Sequence, residues 1–177
     1  MKKHFTSSNN TILIVAALCC MGYVASLFLT YSFIVMPGLS IIDDRSFVAA
    51  FQGLESRFAF EPSGYSNIPA MIAFPGSLIL TLIAALVHRR HRSGKWILAS
   101  LLLFIIGMIS TFMVNLPANE FIYNAGHPDT LNVEQIRAEF NESRWSTWNH
   151  FRSFTTTIGV LCLIRAITLK YPITANP

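Results

Sequence analysis

Three stretches of this chain, Ile12 to Met36, Ile68 to Val87 and Trp96 to Leu116, contain no Asp, Glu, Lys or Arg. Each is long enough for a helix to cross bilayer hydrocarbon, which is roughly 30 Å thick and takes about 20 helical residues. Backbone polar groups in lipid must be satisfied within their own segment, so such runs form helices. A fourth apolar run, from Phe151 to Leu169, holds Arg152 and Arg165, which are 13 positions apart. That separation is about 20 Å of helix, so each guanidinium is expected to reach the nearer interface while the segment between stays in lipid. A composition of 53% hydrophobic and 12% charged residues excludes an ordinary soluble domain, and 177 residues fit one domain. The expected fold is a single all-α integral membrane domain over residues 1–177. It is a four-helix bundle with spans near 12–36, 68–87, 96–116 and 151–169.

The charges fix an expected orientation. All nine acids lie between Asp43 and Glu61 or between Glu120 and Glu142. Lys2 and Lys3, the link carrying Arg89, Arg90, Arg92 and Lys95, and Lys170 lie across the spans from them. Short loops rich in Lys and Arg stay in the cytoplasm, so both termini are expected there, in a cell inner or plasma membrane. The first run follows Lys2 and Lys3 like a secretion signal, but its apolar stretch exceeds the roughly 7 to 15 residues of a signal core, and an uncleaved anchor is expected. The net charge of +4 then reports topology and contact of the basic link with anionic headgroups, not nucleic-acid binding. Cys19, Cys20 and Cys162 all fall within spans, offer no disulfide framework or metal pattern, and read as small packing residues.

Between the spans the pattern changes. Span one is expected to stop at Met36-Pro37-Gly38. After Asp43 and Asp44, the residues Phe47, Val48, Phe51, Leu54 and Phe58 recur at helical spacing with Arg45, Gln52, Glu55 and Arg57 elsewhere. This predicts an amphipathic helix lying at the interface or capping the bundle. Phe60 to Asn67, with Pro62, Ser63 and Gly64, reads as a loop. Pro75-Gly76 suggests a kink in span two. Asn132 and Gln135 have the spacing of a capping-box variant, opening an outer helical segment that leads toward span four.

The polar residues kept by the spans gather at the acidic end: Tyr31 and Ser32; Tyr65, Ser66 and Asn67; Asn115 and Asn119; and Trp145, Trp148, Asn149, His150 and Arg152. A bundle core is a usual place for a pocket built from such residues. Asn115 and Asn119, four positions apart, share a helix face across a distorting Pro117. Trp145, Trp148, Asn149 and Arg152 follow i, i+3, i+4, i+7, one stripe that combines aromatic planes, an amide and a fixed cation. Such a stripe can stack a flat aromatic molecule and bind an oxyanion on it. Simpler readings stay open: the tryptophans as interfacial belt, Arg152 snorkelling or paired with Glu142 or Glu120, and the asparagines bonding across helices. His150 is the only histidine beside this stripe, a side chain of the type suited to proton abstraction, and lies about 100° from Asn149 around the helix, toward the pocket edge or the headgroups. A metal site from His127, His150, Asp129 and Glu120 lacks the required spacing, and no metal is expected.

The order of four spans, with Met36-Pro37-Gly38-Leu39 after the first, Val114-Asn115-Leu116-Pro117-Ala118-Asn119 after the third and Trp145-x-x-Trp148-Asn149-x-x-Arg152 opening the fourth, resembles the anthrone oxygenase-like family of small integral membrane proteins. The resemblance covers nearly the whole chain, and the tryptophan motif is its most specific part. Ala118 stands where the family pattern Asn-x-Pro-Leu-Asn has leucine, a change in pocket shape more than in chemistry. Fungal members oxidise anthrones to anthraquinones with molecular oxygen. The resemblance therefore implies an oxidoreductase in which His150 is the base, Asn115, Asn119 and Arg152 stabilise the enolate oxygen, and Trp145 and Trp148 are stacking walls. Asn149 and Tyr31 complete the expected ligand contacts. No nicotinamide, flavin or haem signature is visible, so the expected reaction needs no cofactor beyond oxygen as co-substrate. Expected partners are membrane lipid and a small aromatic or quinone-like molecule, with a homo-oligomer compatible. The competing expectations are a non-catalytic binding or transport-accessory protein, and a structural partner in a larger membrane assembly. The absence of an acid within the spans argues against an ion-coupled transporter.

Overall fold

A computed structural model describes residues 2–58 and 67–170. Its helices are α1 (Lys2–Thr30), α2 (Met36–Ser40), α3 (Asp44–Glu55), α4 (Ile68–His88), α5 (Gly94–Ser110), α6 (Leu116–Tyr123), α7 (Val133–Phe140) and α8 (Glu142–Lys170). Among the described residues, four helical stretches are long and apolar enough to cross a membrane: Thr11–Ser40, Ile68–His88, Gly94–Tyr123 and Val133–Leu169. The long helices pack in a ring, α1 on α4, α4 on α5, α5 on α8 and α8 back on α1. The expected all-α four-helix membrane bundle is therefore the observed architecture.

In lipid the helices gain little from hiding apolar surface, so close approach of small residues sets the packing. Gly107 of α5 faces α8 so tightly that an added Cβ would lie 2.9 Å from Thr155 Oγ1. Gly76 of α4 leaves the same 2.9 Å to Cys20 Sγ of α1. Cys20 is half-buried, Cys162 buried and Cys19 exposed, all as free thiols.

Span one does not stop at Met36-Pro37-Gly38. A π-turn at Tyr31–Val35 carries it on into α2 as far as Ser40, and a second π-turn, Thr111–Asn115, carries the third span through Pro117 into α6. In each, the residue before the proline bonds five positions back, Met36 N–H to the Tyr31 carbonyl and Leu116 N–H to the Thr111 carbonyl. Proline has no N–H to offer the ladder, and the widened turn absorbs that gap without breaking the helix. Pro75, by contrast, lies inside an uninterrupted α4.

The amphipathic helix α3 caps the acidic end of the bundle. Asp43 starts it by accepting from Ser46 N–H at 3.0 Å, the usual way an orphan donor of the first turn is satisfied. Its buried face, Phe47, Val48 and Phe51, packs with Met36, Ile122, Phe140 and Trp145. Phe51 meets Phe140 edge-on at 4.7 Å and Trp145 perpendicularly at 5.9 Å. Asn132 caps α7 by accepting from Gln135 N–H at 3.3 Å, as the capping-box spacing suggests. Asn141 takes the left-handed conformation at φ 55° and caps α8 by accepting from Arg144 N–H at 3.0 Å. The loop expected at 60–67 lies, apart from Asn67, outside the described residues, as do Tyr65 and Ser66. Asn67 itself caps α4, its Oδ1 accepting from Ala70 N–H at 3.1 Å and from the Tyr23 hydroxyl at 3.2 Å.

Arg137 fastens this cap. Its guanidinium donates to Glu142 at 2.5 Å, to Asp44 at 2.9 Å and to the Ile42 carbonyl at 2.7 Å, and it lies 4.3 Å over the Phe47 ring. Arg137→Met should leave both carboxylates and that carbonyl without their donor, at a cost of about 2 kcal/mol. For a chain of this size the thermal midpoint in detergent should fall by roughly 5 °C, with helix content by circular dichroism unchanged before the transition.

Candidate functional site

The face of α8 that turns inward carries Trp145, Asn149 and Arg152, at i, i+4 and i+7. Trp145 is 1% exposed, Asn149 0% and Arg152 7%. The expected snorkelling of Arg152 does not occur: its guanidinium points into the bundle instead of toward the headgroups. Arg165, lower on the same helix, is exposed.

Removing a guanidinium from water is costly unless its donors are used, and the interior around Arg152 is built for it. Nε donates to Asn149 Oδ1 at 2.8 Å and Nη1 to Thr111 Oγ1 at 3.3 Å. The cation lies over two aromatic faces, 4.3 Å from the Phe28 centroid and 5.4 Å from that of Trp145. Asn149 in turn donates to the Phe28 carbonyl at 3.1 Å and to Ser32 Oγ at 2.7 Å. Ser32 and Ser153 share a hydrogen bond of 2.9 Å, and Ser153 donates to the Asn149 carbonyl at 2.7 Å. Asn149 therefore ties the cation to α1 through a neutral amide and leaves its charge intact. The two bonds to the guanidinium use only part of its five donors.

The Asn-x-Pro-x-Asn segment divides its work. Asn115, buried in the second π-turn, donates to the Trp145 carbonyl at 3.0 Å and braces α8. Asn119, one helical turn on, accepts from the Trp145 indole N–H at 2.6 Å and hydrogen-bonds the Glu55 side chain.

These residues surround a cavity of about 160 Å³. Leu27, Phe28 and Tyr31 of the first span, Phe74 of α4, Thr111 and Leu116 of the third span, and Trp145 and Arg152 of α8 form its walls, with Glu55, Phe58 and Asn119 at the capping end. The Tyr31 hydroxyl is buried there and makes no hydrogen bond among the described residues, and its ring lies 5.9 Å from that of Trp145. Both π-turns supply wall residues, Tyr31 and Thr111.

Glu55 is the residue that sequence reasoning missed. The sequence pattern sets it on the polar side of α3, yet it faces the cavity. Its position four residues after Phe51 and eight after Phe47 places it on the buried face of that helix, and this spacing is the signal that could have found it. Burial pushes its carboxyl up from the ordinary 4.5 to about 7, against the Asn119 hydrogen bond and the Arg152 charge, both of which pull it down. A group at that value is suited to proton transfer near neutral pH.

The structure does not bring Trp148 and His150 to the cavity. Trp148 is 38% exposed and packs edge-on against Phe151 at 5.6 Å. At i+3 from Trp145 its direction has already swung away from the inward line. His150 is exposed; its Nδ1–H donates to the Ser146 carbonyl at 2.7 Å and its ring stands on Phe33 at 5.6 Å. It borders a separate outer groove with Ser32, Met36, Pro37 and Glu142. Glu142 pairs with Arg137, so the alternative pairing of Arg152 with Glu142 or Glu120 gives way to a charge interaction with Glu55. Among the described residues, no group of three or more His, Cys, Asp and Glu side chains could hold a metal ion.

The profile of the anthrone oxygenase family matches residues 62–162, more than half of the chain. The chain belongs to that family. Neither a curated protein nor a solved structure shows a significant match. In this anthrone oxygenase family member the matched region contains Asn115, Asn119, Trp145, Asn149 and Arg152, while Tyr31 and Glu55 reach the cavity from the segment before it.

The raised value of Glu55 has a consequence for stability. Its folded carboxyl holds a proton that the unfolded chain has already released between about pH 4.5 and about pH 7, so stability should fall as pH rises through that window. Thermal unfolding in detergent should show this loss in the wild type, and Glu55→Gln should flatten it and be the more stable form at the alkaline end.

Proposed function

We propose that the protein oxidises a flat aromatic carbon acid of the anthrone type with molecular oxygen, without a cofactor, in the cavity between Glu55 and Arg152. The observation that carries this reading is a carboxyl held near neutrality on the same small, aromatic-walled chamber as a buried guanidinium. Family membership supports the reaction class, and the cavity supports the assignment of roles.

An anthrone carries a methylene between two aromatic rings, opposite a carbonyl. Ionised Glu55 takes one methylene proton, and the electron pair it leaves delocalises onto the carbonyl oxygen as an aromatic enolate. Arg152 meets that developing oxyanion with N–H donors already fixed in place, so little reorganisation accompanies the charge. The faces of Phe28 and Trp145 hold the ring plane, and the Tyr31 hydroxyl offers a further hydrogen bond. The enolate carbon then reduces oxygen, forming a carbon-bound hydroperoxide once a proton is returned. Loss of water, with departure of the second methylene hydrogen as a proton, gives the quinone carbonyl: one oxygen atom enters the product and the other leaves as water. Asn119 and Asn149 position the acid and the cation, and Asn115 steadies the backbone that carries Trp145.

The placement of Lys and Arg supports an orientation with both termini in the cytoplasm, which puts the chamber near the outer face.

Oxygen consumption with anthrone as substrate tests the roles. Glu55→Gln should lower kcat by about 10²- to 10⁴-fold, and Arg152→Gln by about 10²- to 10³-fold. His150→Ala and Trp148→Ala should stay within roughly twofold of wild type, since neither side chain borders the chamber. In the wild type kcat/KM should rise with pH through about 7, where Glu55 loses its proton. Anthrone binding without oxygen uptake in the wild type would leave a non-catalytic binding protein.

A further inference from the structure

The chamber is smaller than the substrate class assigned to it. A cavity of about 150 Å³ holds a single benzene ring, and the chamber measures about 160 Å³, while an anthrone is tricyclic. Beside it lies a second pocket of about 320 Å³, bordered by Phe58, Asn67, Ala70, Met71, Phe74 and Pro75. Phe58 and Phe74 border both spaces.

Resting on the reading above, we propose that this second pocket is the other half of the substrate site, taking the far rings of a polycyclic aromatic whose acidic, oxygenated end lies between Glu55 and Arg152. The partition consists of aromatic side chains continuous with the chamber's own walls. Phe74 meets Phe28 edge-on at 5.7 Å, and Phe28 is the ring beneath the Arg152 cation; Phe58 meets Tyr31 at 6.4 Å. A rotation of either phenyl ring connects the two spaces without moving backbone, and the face it uncovers is the one a fused ring system stacks on.

Apart from Asn67, the described residues that border the second pocket are apolar, and it touches the lipid side of the bundle: Met71 is 39% exposed and Pro75 is exposed. Pro75 withholds the N–H that the Met71 carbonyl would accept in a regular helix, so one rung of the α4 ladder is missing beside the pocket. One position later Gly76 holds α4 close against Cys20 of α1, which confines any yielding to the turn above. A hydrophobic substrate dissolved in the bilayer thus meets an apolar doorway first and the charged chamber second. Specificity follows from the same arrangement: the chamber selects an acidic oxygen, and the second pocket selects ring count.

Titration calorimetry of the full chain in lipid nanodiscs under argon, with phenol and with anthrone, separates the two spaces. Wild type should bind both. Met71→Trp, which fills the second pocket from its lipid side, should weaken anthrone roughly tenfold or more and leave phenol within about twofold. Phe74→Ala, which removes the partition, should tighten anthrone relative to phenol. Retained phenol binding also reports that each variant is folded. Phenol binding with anthrone affinity indifferent to Met71→Trp would overturn the second half-site alone, as would a parallel loss of both ligands in that variant. Failure of wild type to bind either compound would instead remove the chamber reading, and this inference with it.

Discussion

Taking the Arg152 guanidinium away from water and headgroups costs several kcal/mol, and much of the acidic end of the bundle is arranged to offset that cost. The carboxamide of Asn149, the hydroxyl of Thr111 and the faces of Phe28 and Trp145 come from three different helices. Each is in turn placed by something else: Asn149 by the Phe28 carbonyl and Ser32, Trp145 by Asn119 and Asn115. The charge thereby specifies the relative positions of α1, α5 and α8 at this depth more narrowly than leucine packing would. It also explains why an acid that could have faced solvent is tolerated inward. A carboxyl near a buried cation recovers part of its lost hydration as attraction, and Glu55 stops near neutrality because that recovery is incomplete.

The capping helix supplies what the four spans lack. Uncharged runs can cross a bilayer because they carry no acid, so a carboxyl for the chamber has to be delivered from outside the hydrocarbon. Helix α3 does so with a face on which Phe47 and Phe51 anchor to the cap core and Glu55, one turn further, reaches the chamber. Arg137 holds that helix to α7 and α8, which makes an ion-pair cluster remote from the chamber part of its geometry.

The four spans were legible because the absence of charge over about 20 residues has few other physical meanings. The inward triad of Trp145, Asn149 and Arg152 was legible for a related reason: a cation, an amide and an indole on one face of a mostly apolar helix must be satisfied internally. The same stripe misled at its edge, because i+3 and i+4 lie on opposite sides of the line that continues to i+7, and Trp148 falls on the lipid side of it. His150 drew attention through the acid–base chemistry of histidine and its place next to the stripe, neither of which fixes the direction of the side chain. Glu55 was hidden by the habit of assigning every charged residue of an amphipathic helix to water. The expected stop at Pro37 failed because proline forbids one hydrogen bond, not the continuation of the chain, and a wider turn meets that demand there as it does at the distortion before Pro117.

Those wider turns each insert one residue into a helix that is otherwise regular, so the segment beyond is rotated by about 100° relative to an unbroken helix. At Tyr31–Val35 and Thr111–Asn115 the insertions fall at the level of the chamber, between the part of the bundle packed by small residues and the segments α2 and α6 that meet the cap. The phase of the lower half is thereby uncoupled from that of the upper half. The segments beyond the insertions can thereby turn to meet α3 and α7 while the interlocking of glycine and threonine below keeps its register, so cap and bundle are free to vary separately.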